Sequence, residues 1–208
     1  MRRIGTLLSI GLSVLFFSTL ALAQEMKQET KTTTTTKKTE MKMKVGTKPA
    51  RSNAWKIQNA MSAAPRAISK DATIMDFPAS EGAEMPVLRK GTNGWTCLPD
   101  MADTPANDPQ CLDKMAMEWA AAWIGHKEPN LASAGLGYML QGGGSASNTD
   151  PYATRPAAGE MWMKEPPHIM IFPAGGKIDT TVYSSDPKSG PWVMWGGTPY
   201  QHLMVPVK

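Results

Sequence analysis

The segment PWVMWGGTPYQHLMVPV, residues 191–207, shows the pattern that decides the fold class. Two apolar runs, 192–195 and 200–207, are separated by two glycines and a proline. Short apolar runs bounded by Gly and Pro predict β-strands joined by a turn. Similar runs between turn-forming segments predict further strands along the chain, at 72–76, 85–90, 95–98, 136–141 and 168–172.

Helical patterns are fewer. The main helix is predicted at 108–124, because Pro109 suits a first helical turn and Gly125 a helix end. Apolar residues recur there at helical spacing, as Leu112, Met115, Trp119, Ala122 and Trp123. A shorter N-terminal helix is predicted at 54–64, with Ser52 or Asn53 as its N-cap and Pro65 beyond its end.

The order of these elements predicts the fold class. Strands outnumber helices, and no alternation of strand and helix repeats along the chain. This order favours an α+β fold over a doubly wound parallel sheet. We therefore predict one domain with a largely antiparallel sheet, one main helix and a short N-terminal helix.

The N-terminus has the layout of a secretory signal peptide. Arg2 and Arg3 precede an uncharged, largely apolar stretch that ends at 21–23, with Ala at the two positions that a signal peptidase recognises. A membrane anchor is the alternative, since about 20 apolar residues can cross a bilayer. The polar residues directly after Ala23 favour cleavage. We predict a signal peptide at 1–23 and export to the periplasm or the extracellular medium, with no membrane span after cleavage.

Residues 24–52 differ in composition from the rest of the chain. They include KTTTTTKK at 31–38, and they carry eight basic and three acidic residues. Such a segment cannot bury enough apolar surface to fold, so we predict a disordered Lys/Thr-rich tether. Contact between this tether and anionic envelope surfaces is an alternative to a plain spacer.

The net charge divides unevenly between the tether and the predicted domain, 53–208. The whole chain has a net charge of +4, but residues 53–208 hold 12 basic and 15 acidic residues, a net charge of −3. A basic charge balance is typical of nucleic-acid-binding domains. The sequence therefore argues against a nucleic-acid partner for the folded domain.

The chain has two cysteines, Cys97 and Cys111. In an exported protein such a pair predicts one disulfide. Catalytic or redox thiols are the alternative, but the chain has no CxxC motif. A disulfide that closes a loop of about 15 residues contributes roughly 3 kcal/mol of stability in the chain-entropy model.

Three segments carry a resemblance to other proteins: NGWTC at 93–97, SNTDP at 147–151 and GTPYQHLMVP at 197–206. They resemble those of a family of uncharacterised exported bacterial proteins, over most of the chain from about residue 55 onward. The resemblance implies one exported domain. It implies no fold, activity, ligand or site residue.

Two His-x-Met pairs, His168/Met170 and His202/Met204, suggest a metal site. Both pairs lie on predicted strands, where side chains two residues apart point to one face. If the two strands are neighbours, two imidazoles and two thioethers converge, a donor set that suits copper, especially Cu(I). The alternative is an ordinary core, because the chain has 16 Met and Met fills core gaps well.

An aromatic cluster suggests a ligand site. Trp192, Trp195 and Tyr200 lie beside glycine turns, where aromatic faces can stack on sugar rings. On a regular strand Trp192 and Trp195 would face opposite ways, so one of them is expected in the core.

Acidic residues permit two further hypotheses. Hydrolysis requires two carboxylates across a cleft, with His168 or His202 as a further base, but no spacing selects a pair among Asp150, Glu160, Glu165, Asp179 and Asp186. Calcium could bind oxygens of the loop between the cysteines, at Asp100, Asp103, Asn107 and Asp108. Asp and Asn are also ordinary turn residues.

The function predicted from the sequence is that of a non-enzymatic exported domain that binds an envelope partner or a small ligand. The alternatives are a hydrolase of envelope polymers and a periplasmic copper-binding protein that uses the His-x-Met pairs. No required cofactor is predicted; copper is the alternative that the His-x-Met pairs suggest.

Overall fold

The computed structural model describes residues 48–80 and 82–207. The predicted signal peptide, and the predicted tether as far as residue 47, lie outside the described residues. The described part contains three helices, α1 (Asn53–Met61), α2 (Arg66–Ser69) and α3 (Lys114–Ile124). No helix within it is long and apolar enough to cross a membrane.

Ten strands accompany these helices. In chain order they are β1 (Thr73–Met75), β2 (Val87–Arg89), β3 (Thr96–Leu98), β4 (Gln110–Leu112), β5 (Gly135–Met139), β6 (Gly143–Ser145), β7 (Met163–Glu165), β8 (His168–Phe172), β9 (Trp192–Met194) and β10 (His202–Pro206). Eight of them form one sheet in the order β2-β1-β3-β4-β5-β8-β10-β9, and β6 pairs with β7. Only β1 and β3 pair in parallel within the large sheet. The predicted α+β class with a largely antiparallel sheet is confirmed.

The predicted main helix was wrong at its start. Residues 110–112 form strand β4, because they pair with β3, with Cys97 opposite Cys111. Asp113 then caps α3: one of its carboxylate oxygens accepts from the backbone N–H of Ala116 at 2.8 Å, and the other accepts from the N–H of Leu136 at 2.9 Å. The helix ends before Gly125, as predicted.

The first helix is shorter than predicted. Helix α1 starts at Asn53 with Ser52 as its N-cap, but it ends at Met61 instead of residue 64. The short α2 and the strands β6 and β7 have no counterpart among the sequence predictions. Strand β6 contains two glycines, which are typical of turns, so its pairing with β7 overrides local preference.

The two longer helices cover opposite faces of the large sheet. Cys111 and Leu112 are consecutive on β4 and therefore point to opposite faces. Cys111 packs in a cluster with Ala60 and Ala63 from α1 and its C-terminal end. Leu112 packs in another cluster with Ala116 and Trp119 of α3. We call these the α1 face and the α3 face.

The disulfide lies on the α1 face. Cys97 and Cys111 are directly opposed on β3 and β4, are bonded to each other, and are fully buried. The predicted pairing of the two cysteines is confirmed. The bond links neighbouring strands, so it reinforces a pairing that hydrogen bonds already make.

Candidate functional site

The two His-x-Met pairs lie on neighbouring strands. In the antiparallel pairing of β8 and β10, Met170 is opposite Met204, and His168 is opposite Pro206. Side chains alternate along a strand, so the two pairs share one face. That face is the α3 face, because Met170 and Met204 belong to its core cluster.

The register separates the two imidazoles. His202 is opposite Met194 on β9, at the other end of β10 from the residue that pairs with His168. Four residue steps at about 3.3 Å each put the two histidine positions about 13 Å apart along the sheet. The opposed Met170 and Met204 lie between them. On this face each imidazole is directly opposite another methionine on a neighbouring strand, Met139 on β5 for His168 and Met194 on β9 for His202.

Both histidines are held in the same tautomer. Nδ1 of His168 lies 2.7 Å from the carbonyl oxygen of Pro166, and Nδ1 of His202 lies 3.0 Å from that of Tyr200. A carbonyl oxygen only accepts, so each Nδ1 carries the proton and donates it. The lone pair of each neutral ring is therefore on Nε2.

Burial keeps both rings neutral. Loss of hydration lowers the pKa of His168 to about 4, against the opposing effect of its hydrogen bond to Pro166. Burial also lowers the pKa of His202 to about 4, against the opposing effect of its hydrogen bond to Tyr200; protonation of His168 would lower it further. At physiological pH both Nε2 atoms are unprotonated and free to act as metal ligands.

The surroundings of the two rings differ. Three aromatic rings surround His202, with centroids 5.0 Å away for Trp119, 5.1 Å for Phe172 and 5.3 Å for Trp195. His168 has one aromatic neighbour, Trp192, at 5.8 Å. Nε2 of His168 is buried without a hydrogen-bond partner.

The predicted aromatic ligand site is divided between core and surface. Trp192 is fully buried and Tyr200 nearly so, so neither presents a face to a ligand. Strand β9 ends at Met194, and Trp195 has a φ of 54°, which turns its side chain away from the regular alternation. The half-buried Trp195 stacks on Trp119, with centroids 5.9 Å apart and planes 9° apart.

An exposed aromatic residue that the sequence did not single out lies beside this group. Tyr152 is 40% exposed, yet its ring is held on several sides. It stacks on His126 with centroids 4.2 Å apart and planes 12° apart, and it meets Tyr200 edge-on at 5.7 Å. Its hydroxyl donates to the carbonyl oxygen of Trp123 at 3.3 Å.

Two indoles hold the SNTDP loop, residues 147–151, that leads to Tyr152. Nε1 of Trp195 donates to the carbonyl oxygen of Ser147 at 3.0 Å, and Nε1 of Trp123 donates to that of Pro151 at 3.1 Å. The side-chain amide of Asn148 donates to the carbonyl oxygen of Ser185 at 2.8 Å. The loop is therefore anchored at both ends and at Asn148.

A surface hollow of about 570 Å³ adjoins Tyr152. Its walls carry hydroxyl, carboxylate and guanidinium groups, from Ser147, Thr149, Asp150, Thr154, Arg155 and Glu160. Desolvation and the neighbouring Tyr200 raise the pKa of Tyr152 to about 12, so its phenol stays neutral at physiological pH. The hollow thus combines one fixed aromatic face with polar groups of both charges.

The other candidate acids lie apart from this hollow. Asp179 and Asp186 are exposed in the 173–191 segment and accept hydrogen bonds from their own turns. Glu165 is buried and accepts a hydrogen bond from the hydroxyl of Ser145. Burial raises the pKa of Glu165 to about 7 and that of Asp108 to about 6.

Two of the four side chains proposed for calcium, Asp100 and Asp108, are engaged inside the protein, whereas Asp103 and Asn107 are exposed. Asp100 accepts from Nζ of Lys48 at 2.5 Å and from the N–H of Asp108 at 3.1 Å. Asp108 accepts from the N–H of Met101 at 2.9 Å and from the hydroxyl of Thr104 at 2.5 Å. Within residues 48–80 and 82–207, no three His, Cys, Asp or Glu side chains are grouped as a metal site would require.

Comparison with known proteins returned no matching family model, no matching curated sequence and no matching solved structure. The resemblance to exported proteins noted in the sequence therefore stays a prediction.

Proposed function

We propose that this chain is an exported, non-enzymatic domain that binds an envelope glycan at Tyr152 and the adjoining hollow. The observation that supports this most directly is the exposed but immobilised ring of Tyr152 beside polar groups. A ligand that stacks on this ring does not have to order it, so little conformational entropy is lost on binding. Sugar rings present both an apolar face for stacking and hydroxyls for hydrogen bonds.

The polar walls of the hollow suit the hydroxyls of a sugar. Asp150 and Glu160 are acceptors, and Arg155 is a donor, on the same rim as the aromatic face. Binding sites combine an apolar surface with a few placed polar groups in this way. The buried disulfide supports the export that the proposal assumes, because disulfides persist in oxidising compartments.

The test is calorimetric titration of the protein with two probes, soluble peptidoglycan fragments and the core oligosaccharide of lipopolysaccharide. We expect one of them to bind, and Tyr152→Ala to weaken that binding at least tenfold, about 1.4 kcal/mol. Tyr183→Ala is the matched control, because Tyr183 lies outside the hollow, and it should bind like the wild type. Equal affinity of wild type and Tyr152→Ala, or no binding of either probe, would contradict the proposal.

Hydrolysis of an envelope polymer is the second candidate, because Asp150 and Glu160 line the same hollow. Paired carboxylates that flank a glycosidic bond are the usual apparatus for this reaction. Incubation with peptidoglycan should then release new reducing ends, and Glu160→Gln should abolish that release while binding persists. Binding without release of reducing ends by the wild type favours the binding domain.

A further inference from the structure

A second hollow, of about 550 Å³, lies between the residues that precede α1 and the loop between the two cysteines. Its apolar walls include the half-buried side chains of Trp55, Phe77 and Met101. None of its lining residues also lines the hollow beside Tyr152. Ligand sites have volumes of this order and combine apolar walls with a few placed polar groups. The second hollow therefore has the size and the walls of a site for a small molecule.

Lys48 holds the two sides of this hollow together. Its backbone N–H donates to the carbonyl oxygen of Ala102 at 3.3 Å. Its Nζ donates to the carboxylate of Asp100 at 2.5 Å, to the carbonyl oxygen of Met101 at 2.9 Å and to that of Ala106. The segment that begins at Lys48 is thus fastened to the loop between the cysteines. A ligand that enters between them meets walls that are already in place, which lowers the ordering cost of binding.

Four of the six charged side chains that line the hollow are paired with one another. The pairs are Lys48 with Asp100 and Lys56 with Asp76. The other two, Arg51 and Asp103, have no oppositely charged side chain within 4.0 Å among the described residues. The hollow therefore carries one cation and one anion that no ion pair of the described chain engages.

The unpaired cation has a defined position. Cζ of Arg51 lies 4.7 Å from the centroid of the Trp55 ring, so a cation–π contact holds the guanidinium over an apolar wall of the hollow. This contact leaves the N–H groups of the guanidinium edge available to an acceptor. Asp103 is exposed on the loop that Lys48 fastens, and its carboxylate is available to a donor.

We infer that this hollow binds a small zwitterion with an apolar body, a free apolar amino acid or a dipeptide. The carboxylate of the ligand pairs with Arg51, because a guanidinium and a carboxylate can form two parallel hydrogen bonds. The ammonium group pairs with Asp103, and the apolar side chain packs on Phe77 and Met101. A ligand with a single charge would be attracted by one of the two groups and repelled by the other. The inference does not rest on the glycan proposal, because the two hollows share no residue.

The experiment is calorimetric titration of the full chain with L-phenylalanine and with the dipeptide L-leucyl-L-phenylalanine, which separate the two sizes of ligand. We expect one of these probes to bind. Acetylation of its amino group, or amidation of its carboxylate, should each weaken binding about fivefold, or about 1 kcal/mol, because each change removes one partly exposed ion pair.

Two variants assign each charge of the probe to its partner. Arg51→Gln should weaken binding of the unblocked probe about fivefold and leave binding of the amidated probe unchanged. Asp103→Asn should likewise weaken binding of the unblocked probe and leave binding of the acetylated probe unchanged. The matched controls are Arg66→Gln and Asp186→Asn, at exposed residues outside the hollow, and both should bind like the wild type.

The inference is overturned if neither probe binds, or if the blocked probes bind as tightly as the unblocked ones. It is also overturned if Arg51→Gln or Asp103→Asn leaves binding of the unblocked probe unchanged, or if the two control variants lose affinity equally.

Discussion

Tryptophans occur both on the α3 face and around Tyr152. We call the second region, which comprises Trp123, Trp195 and the loop 147–152, the Tyr152 rim. The two regions use their tryptophans in opposite ways. In the core, Nε1 of Trp119 and of Trp192 has no hydrogen-bond partner, so these indoles stabilise the protein through buried area and ring packing, without an indole hydrogen bond. At the rim, Nε1 of Trp123 and of Trp195 donates to carbonyls of the 147–151 loop. The difference shows that one residue type fills the interior in one place and immobilises a surface loop in another.

The histidines repeat this contrast. His168 and His202 are buried, neutral and tied to local carbonyls within the sheet. His126 is exposed, has a φ of 54°, and supports Tyr152 by stacking. The interior thus offers a lone pair without water, and the rim offers a flat surface in contact with water.

The largest expected effect is in the core. Trp192→Ala should destabilise the protein by about 3–5 kcal/mol, because it removes a fully buried indole and leaves a cavity. Trp192→Phe should cost clearly less, because the lost N–H has no partner to leave unpaired. Denaturant unfolding measures both. If Trp192→Phe were as unstable as Trp192→Ala, the indole N–H of Trp192 would contribute to stability. The contrast between the core and rim tryptophans would then be wrong.

A second prediction concerns pH and the buried carboxyl of Glu165. Burial raises its folded-state pKa to about 7 from 4.5, so between these values the folded protein keeps a proton that the unfolded chain has lost. Stability from this group therefore falls as pH rises through that window. Relative to wild type, Glu165→Gln should gain about 3 kcal/mol of stability between pH 4.5 and pH 8.

The comparison with wild type cancels the contribution of the two histidines. Their pKa values are lowered to about 4, so their effect on stability has the opposite sign: it is lost as pH falls below 6.5. Glu160→Gln, at an exposed carboxyl beside the rim, is the matched control for the loss of a carboxylate. If the difference in stability between Glu165→Gln and wild type did not change with pH, burial would not raise the pKa of Glu165.

The smallest expected effect on global stability is at the rim. Trp123→Phe keeps an aromatic ring but removes the hydrogen bond to Pro151, a loss of about 1 kcal/mol. Because that bond anchors the loop, amide hydrogen exchange should accelerate at 147–152 and stay unchanged in β8 and β10. If exchange accelerated equally in β8 and β10, the loop and the sheet would open together, and the rim and the core would not be independent regions.

Several elements were predictable because their signals are local. Strands β8, β9 and β10 were predicted from apolar runs between Gly and Pro, and the end of α3 from Gly125. The pairing of Cys97 with Cys111 followed from the number of cysteines in the chain. The start of α3 was not predictable from apolar spacing, because Leu112 suits a helix face and a strand face equally.

The candidate sites were predictable only in part. Both His-x-Met pairs were identified from spacing on strands, but their separation depends on the register of β8 with β10. Tyr152 was missed, since nothing local distinguishes an exposed Tyr that is held by His126, Tyr200 and Trp123 from one that is free. Trp192 and Trp195 differ in burial because the backbone of Trp195 leaves the strand.

By itself the sequence determined the class of fold, most of the strands and the disulfide, because these depend on composition and on spacing between near neighbours. Only the tertiary structure decided the strand order, the parallel pair of β1 and β3, and the formation of a strand instead of a helix at 110–112. It alone also placed the unpartnered Nε2 of His168 in the core and the ring of Tyr152 at the surface. The physical reason is that hydrogen bonds and packing between distant segments select among local conformations of similar free energy.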